Sequence, residues 1–211
     1  MFAIFSPDSR LMLVLTRLTD LVLLNILFLL TCLPVFTMGA ATASLYTLCF
    51  RMLRQEESGI IKPYFRAFKE NFKPATGILA ILLVVLIPDY LYFDRFFHLD
   101  GILHFAIYFF ILVAALAVLT ASFAFPWVSQ FRNSIPESLR NALLLSISHL
   151  PRAIAVAGIN LLPAVLWIVN FELFVKVSFL WLTLYFAAAA YMNAAILYPV
   201  FRPYTEPETI G

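Results

Sequence analysis

The sequence predicts an all-α fold: a polytopic transmembrane helical bundle of six spans, with two amphipathic helices on the cytoplasmic side. Three observations predict it. Of 211 residues, 63% are hydrophobic and only 12% are charged, whereas a soluble domain is nearer half apolar and a quarter charged. The apolar residues fall in continuous runs of about 20, the length at which a helix crosses a hydrocarbon core; barrel strands would alternate instead. The cations gather on alternate links, as in a chain threaded back and forth through a bilayer. One membrane domain, 1–211, uses the whole length, which leaves no room for a soluble catalytic domain. A net charge of +2 is too small to point to a nucleic-acid partner.

In chain order, Ser6-Pro7-Asp8 can start a helix within the N-terminal segment. Arg10 and Arg17, the apolar run Leu21 to Leu33, and Ala41-Thr42-Ala43 imitate the three regions of a signal peptide. The run from Leu11 to Leu33 is long for that, so a retained first span over 18–35 is expected. The second span is expected over 39–53, the third over 75–92, the fourth over 102–125, the fifth over 153–171 and the sixth over 177–198. The tail from Pro199 is expected to be extended.

The chain is organised around Cys32 to Ser44, read as a stop, a turn and a tightly packed restart. Pro34 blocks continuation of the first helix, and Thr37 is placed to cap the next. Gly39, Ala40, Ala41, Ala43 and Ser44 then give that helix a face with almost no side-chain bulk. In lipid such faces let backbones approach closely, so this stretch is expected to pack against other helices or a partner subunit.

Of 14 Lys and Arg residues, only Arg95 and Lys176 lie in the links after the third and fifth spans. The other twelve occupy the N-terminus, the 51–73 and 126–152 segments and the tail. Sorting of positive charge puts those twelve, and both termini, in the cytoplasm. Within 61–73, Lys62, Arg66, Lys69 and Lys73 share a helical stripe about 60° wide, with Phe65, Phe68 and Phe72 beside it. That is the pattern of a helix lying in the membrane interface, its cations on lipid headgroups. The residues over 136–150 resemble it, with Leu139, Leu143, Ile147 and Leu150 on one face. Pro63, Pro74, Pro88 and Pro126 recur as Pro136, Pro151, Pro163 and Pro199 at offsets of 73 to 77, a spacing that a parallel internal repeat would give and that chance among twelve prolines also allows.

Residues able to carry chemistry are few. Asp20, Asp89 and Glu172 border spans. They read as interface-depth acids or, for Asp20 beside Arg17, as a proton or cation relay. The amides Asn25, Asn160, Asn170 and Asn193 must find partners in lipid. They read as interhelical glue, or, with Asp20, as the lining of a cavity. His98, Asp100 and His104 sit among aromatics in the link after the third span. An aromatic belt is the ordinary account, with sugar stacking and metal binding as alternatives. Cys32 and Cys49 fit no redox or zinc spacing and read as small hydrophobes. No phosphate loop, HExxH, GxSxG or SxxK is present, so neither an enzyme nor a cofactor is expected.

Leu33-Pro34-Val35 with Thr37 to Ala43, then Phe65 to Lys73, then Ser138-Leu139-Arg140-Asn141-Ala142-Leu143-Leu144-Leu145 together resemble the YesL-like family of small bacterial membrane proteins, a domain of unknown function. That resemblance implies no catalytic residues. It implies a context, beside sugar-uptake ABC transporters in Gram-positive bacteria. The expectation is therefore an accessory or regulatory subunit that packs on the permease subunits of a carbohydrate ABC transporter in the plasma membrane. A stand-alone carrier or channel, and an envelope scaffold or enzyme, are the alternatives.

Overall fold

The computed structural model describes residues 10–56, 59–97 and 105–205, and among them there are helices and no strands. Helix α1 (Arg10–Cys32) ends just before Pro34 and is followed by a single 3-10 turn, Val35–Thr37. Helix α2 is Met38–Leu53, and the chain then turns through Gln55 and Gly59, both at positive φ, before α3 (Ile61–Phe97). Helices α4 (Ala106–Gln130) and α5 (Ile135–Ser148) come next, then α6 (Leu150–Val169) and α7 (Phe171–Lys176). A short α8 (Ser178–Leu180) runs through a π turn, Trp181–Tyr185, into α9 (Phe186–Thr205).

Among the described residues, five helical stretches are long and apolar enough to cross a membrane: Val14–Cys32, Ile61–Phe97, Ala106–Gln130, Leu150–Val169 and Ser178–Thr205. Their outward surfaces are hydrophobic along α3 (Val84, Ile87, Leu91), α4 (Tyr108, Ile111, Leu112) and α6 (Ile154, Val165, Ile168). Exposed apolar surface on that scale belongs against lipid. The expected second span is the exception. As a helix of 16 residues, α2 is about 24 Å long, short of the ~30 Å core. It is instead the buried centre of the molecule, packed against α1, α3, α4 and α9.

Three further expectations are corrected. The helix expected to lie separately over 61–73 is continuous with the third span. Pro74 and Pro88 sit inside α3, because neighbouring helices in a membrane bundle can satisfy the backbone groups a proline frees. Near its start, Tyr64 is fully buried, and its hydroxyl meets Thr31 Oγ1 of α1 at 2.7 Å. This part of α3 is keyed into the bundle rather than laid flat on it. The tail likewise stays helical through Pro199 and Pro203 to Thr205. Asn170, read as a membrane amide, is exposed and caps α7, its Oδ1 accepting from the Leu173 N–H at 2.9 Å.

Several chain ends meet at one polar end of the molecule. Arg17 and Asp20 of α1 line a cleft with Arg51, Gln55 and Glu56 at the end of α2. Arg54 reaches Gln130 at the end of α4, and both line a small crevice with Arg202 and Thr205 of α9.

Candidate functional site

The turn after α1 is built differently from the sequence reading. Thr37 does not cap α2 through its side chain. Its hydroxyl instead donates backward to the carbonyls of Thr31 and Pro34, each at 2.6 Å. It thereby takes up acceptors left over where Pro34 stops α1. Pro34 itself is exposed.

The small-residue face is fully used inside the chain. Gly39, Ala40, Ala41, Ala43 and Ser44 are all buried, and a Cβ on Gly39 would stand 2.9 Å from the Ala75 carbonyl carbon of α3. Only a glycine lets α2 and α3 approach so closely. The face expected to be open to a partner subunit is therefore occupied by the protein's own third helix.

The four residues expected to line one cavity, Asp20, Asn25, Asn160 and Asn193, lie in three places. Asp20 is at the polar end, in a cleft of about 320 Å³. Asn25 of α1 is fully buried against the π turn. Its Nδ2 donates to the carbonyls of Trp181 (3.2 Å) and Leu182 (2.9 Å), and its Oδ1 accepts from the Ala187 N–H at 3.0 Å. The amide is thus inserted into the helical ladder where a π turn displaces the usual partners. Asn193 of α9 donates through Nδ2 to Asn160 Oδ1 (2.8 Å) and to Tyr46 Oη (3.2 Å). Three helices, α2, α6 and α9, are tied at that point.

Beside this triad lies a cavity of about 240 Å³, whose polar lining is Thr42, Tyr46, Asn160 and Tyr185 and whose apolar lining includes Phe28, Phe125 and Phe186. Among the described residues, no charged side chain lines it. Tyr185 donates to the Ile159 carbonyl beside it. Sequence reasoning missed Tyr46 and Tyr185, because a tyrosine in an apolar run looks like any other aromatic until a partner from a distant helix is known.

Lys62, Arg66, Lys69 and Lys73 are all exposed along the first third of α3. Arg66 pairs with Glu70 at 3.0 Å, and Arg132 reaches the other oxygen of Glu70 at 3.3 Å. Arg51 and Arg54 grip Glu56 at 3.0 and 2.6 Å. Partial burial pushes the Glu56 carboxyl up, but hydrogen bonds and charge from Arg54 and Arg51 together hold it below the usual carboxylate range.

No group of three metal-binding side chains occurs among the described residues; His98, Asp100 and His104 lie outside them. Cys32 and Cys49 are free thiols.

Residues 21–94 match the model of the family described as "Protein of unknown function, DUF624", in agreement with the YesL-like resemblance of the motifs. That stretch runs from α1 to near the end of α3, so it holds the turn, the small-residue face and the cationic stripe. No curated protein and no solved structure matches the chain.

Proposed function

We propose that this DUF624 chain is an accessory or regulatory subunit of a carbohydrate ABC transporter, held to the permease subunits by helix packing in the bacterial plasma membrane. The sugar-transport context rests on what the YesL-like resemblance implies. The observation that carries the docking role is the outward face of α6. There Gly158 has nothing within 4 Å of where a Cβ would stand, and the exposed residues Ile154, Ala155, Leu161, Leu162 and Val165 surround it on one side of the helix. A glycine among small and branched apolar residues on a membrane-facing helix suits close approach by a second helix.

Six crossings follow if α2 is counted, its short length tolerated because the other helices shield it from lipid. An even number agrees with α1 beginning and α9 ending at the same polar end. The twelve cations set against Arg95 and Lys176 favour a cytoplasmic placement for that end, with the stripe Lys62, Arg66, Lys69 and Lys73 near anionic headgroups.

A stand-alone carrier has less support, since Asp20, Asn25, Asn160 and Asn193 do not share one path. An envelope enzyme has less again, because no catalytic sequence motif points to one.

Co-purification in mild detergent tests the reading. Tagged native protein should bring permease subunits with it, and Gly158→Trp, an exposed change that leaves the core alone, should release them. Recovery of the native protein only as a free monomer, while the permeases stay together, would overturn it.

A further inference from the structure

We propose that the cavity beside the Tyr46–Asn160–Asn193 triad is a lateral binding site for an uncharged membrane lipid with a hydroxyl or ester head, of the diacylglycerol type. The proposal stands whether or not the chain has a transporter partner.

The first observation is an opening on the side of the bundle. At about 100° per residue, Asn160 shares a face of α6 with Ala153, Val156 and Ala157. Those three are buried, yet Asn160 is exposed, and no residue from Asn160 to Asn170 is buried on any face. The inner face of α6 therefore parts from the bundle beyond Asn160, its last tie to α9, which leaves the cavity open where lipid lies.

The second is the chemistry of the walls. Hydrogen-bonding groups converge from three helices: Thr42 and Tyr46 from α2, Asn160 from α6, and Tyr185 from the π turn leading into α9. Phe125 and Phe186 supply apolar wall. Directly behind, Asn193 is fully buried and its Oδ1 has no hydrogen-bond partner among the described residues. That oxygen is enclosed and does not line the cavity, so its amide serves to hold Tyr46 and Asn160 in place at the wall.

Depth and charge then select the ligand. Asn160 is the eleventh of the 20 residues of α6, so it lies near the middle of a helix about 30 Å long. A phospholipid would have to draw its charged head into hydrocarbon to reach it, against walls that carry no countercharge. A neutral lipid already partitions to that depth. Its hydroxyl can donate to the Asn160 oxygen, which has a second lone pair beside the one taken by Asn193, and its ester carbonyls can accept from Tyr46 or Asn160, while its chains stay in the bilayer through the opening.

The test uses the full chain in phosphatidylcholine nanodiscs with one of two photoreactive probes, a diazirine diacylglycerol or a diazirine phosphatidylcholine with the same tails. The diacylglycerol probe should label peptides containing Phe125, Asn160 and Phe186 about tenfold more strongly than the phosphatidylcholine probe, a difference the size of one or two good hydrogen bonds. Asn160→Leu, at an exposed position, should bring its labelling down to the phosphatidylcholine level. Tyr46→Phe, which removes one hydroxyl and keeps the ring, should lower it several-fold. Dioctanoylglycerol added to detergent-purified protein should raise the melting temperature of the native chain and not that of Asn160→Leu. Equal labelling by the two probes, as from a cavity that holds only water, would overturn the proposal. So would an Asn160→Leu variant that labels as strongly as the native chain.

Discussion

Asn25 shows how a single amide can fix a helix on the far side of the sequence. It serves three backbone groups of α8 to α9 at once. Each group left unpaired in an apolar interior costs on the order of 1–3 kcal/mol. Asn25→Leu should therefore lower the melting temperature in detergent well beyond the effect of Asn170→Leu, which removes only an exposed cap; equal effects would show that the π turn does not need the amide. Gly39 makes a second prediction, because any side chain there meets the α3 backbone. Gly39→Val should cost at least the ~1–3 kcal/mol typical of overpacking, seen as loss of folded protein on size exclusion. A third concerns pH. The Glu56 carboxyl is held low by Arg54 and Arg51, which outweigh its partial burial. The exposed Glu137 is held low by its hydrogen bonds to Ser134, with the backbone contact at 3.1 Å. A group with a depressed folded pKa contributes stability above its unfolded value and loses it as pH falls through the folded one. Melting temperature should thus decline below the ordinary carboxylate range, slightly, since exposed pairs are weak, and Glu56→Gln should flatten that decline. That buried amides would need partners could be read from the residues alone. Which partners they have could not, since Asn25 meets residues more than 150 positions away.

The elements were legible where local chemistry decides them. Pro34 ends α1 as its missing N–H requires, and the helix expected over 136–150 is present as α5. Reading failed where tertiary packing overrides a local rule. Pro74, Pro88, Pro199 and Pro203 all sit inside helices, so the boundaries drawn at Pro74 and Pro199 do not exist. The same override makes α3 one helix of 37 residues, about 55 Å long against a ~30 Å hydrocarbon core. A spin label at Lys69 should therefore be quenched by an aqueous relaxation agent and one at Val84 by molecular oxygen. Labels that both report lipid would rule out a polar first third. The stripe of Lys62, Arg66, Lys69 and Lys73 is real as an exposed edge, but it is the extension of a membrane helix.

For the whole molecule, composition pointed to lipid as the solvent, while sequence windows did not separate the enclosed α2 from the lipid-facing helices. A window sees hydropathy and cannot see enclosure, so the apolar run of α2 looked like a span equal to the others. Substituted cysteines at Lys69 and Arg132 should react with a membrane-impermeant maleimide only in inverted vesicles, and one at Lys176 only in intact cells. Labelling of Lys69 from outside would reverse the proposed threading.

The position of α2 also bears on how the protein is made. A segment of 16 residues, rich in glycine, alanine, serine and threonine, offers a translocon little reason to halt, since such residues gain far less on partitioning than leucine or phenylalanine. It has nowhere stable to rest until α3, α4 and α9 exist to surround it. During synthesis the ribosome delivers α9 long after α2, so α2 is made well before the last of the helices that surround it. If its seating waits on those neighbours, nascent chains cut short before α9 should expose α2 to proteolysis and the full chain should protect it.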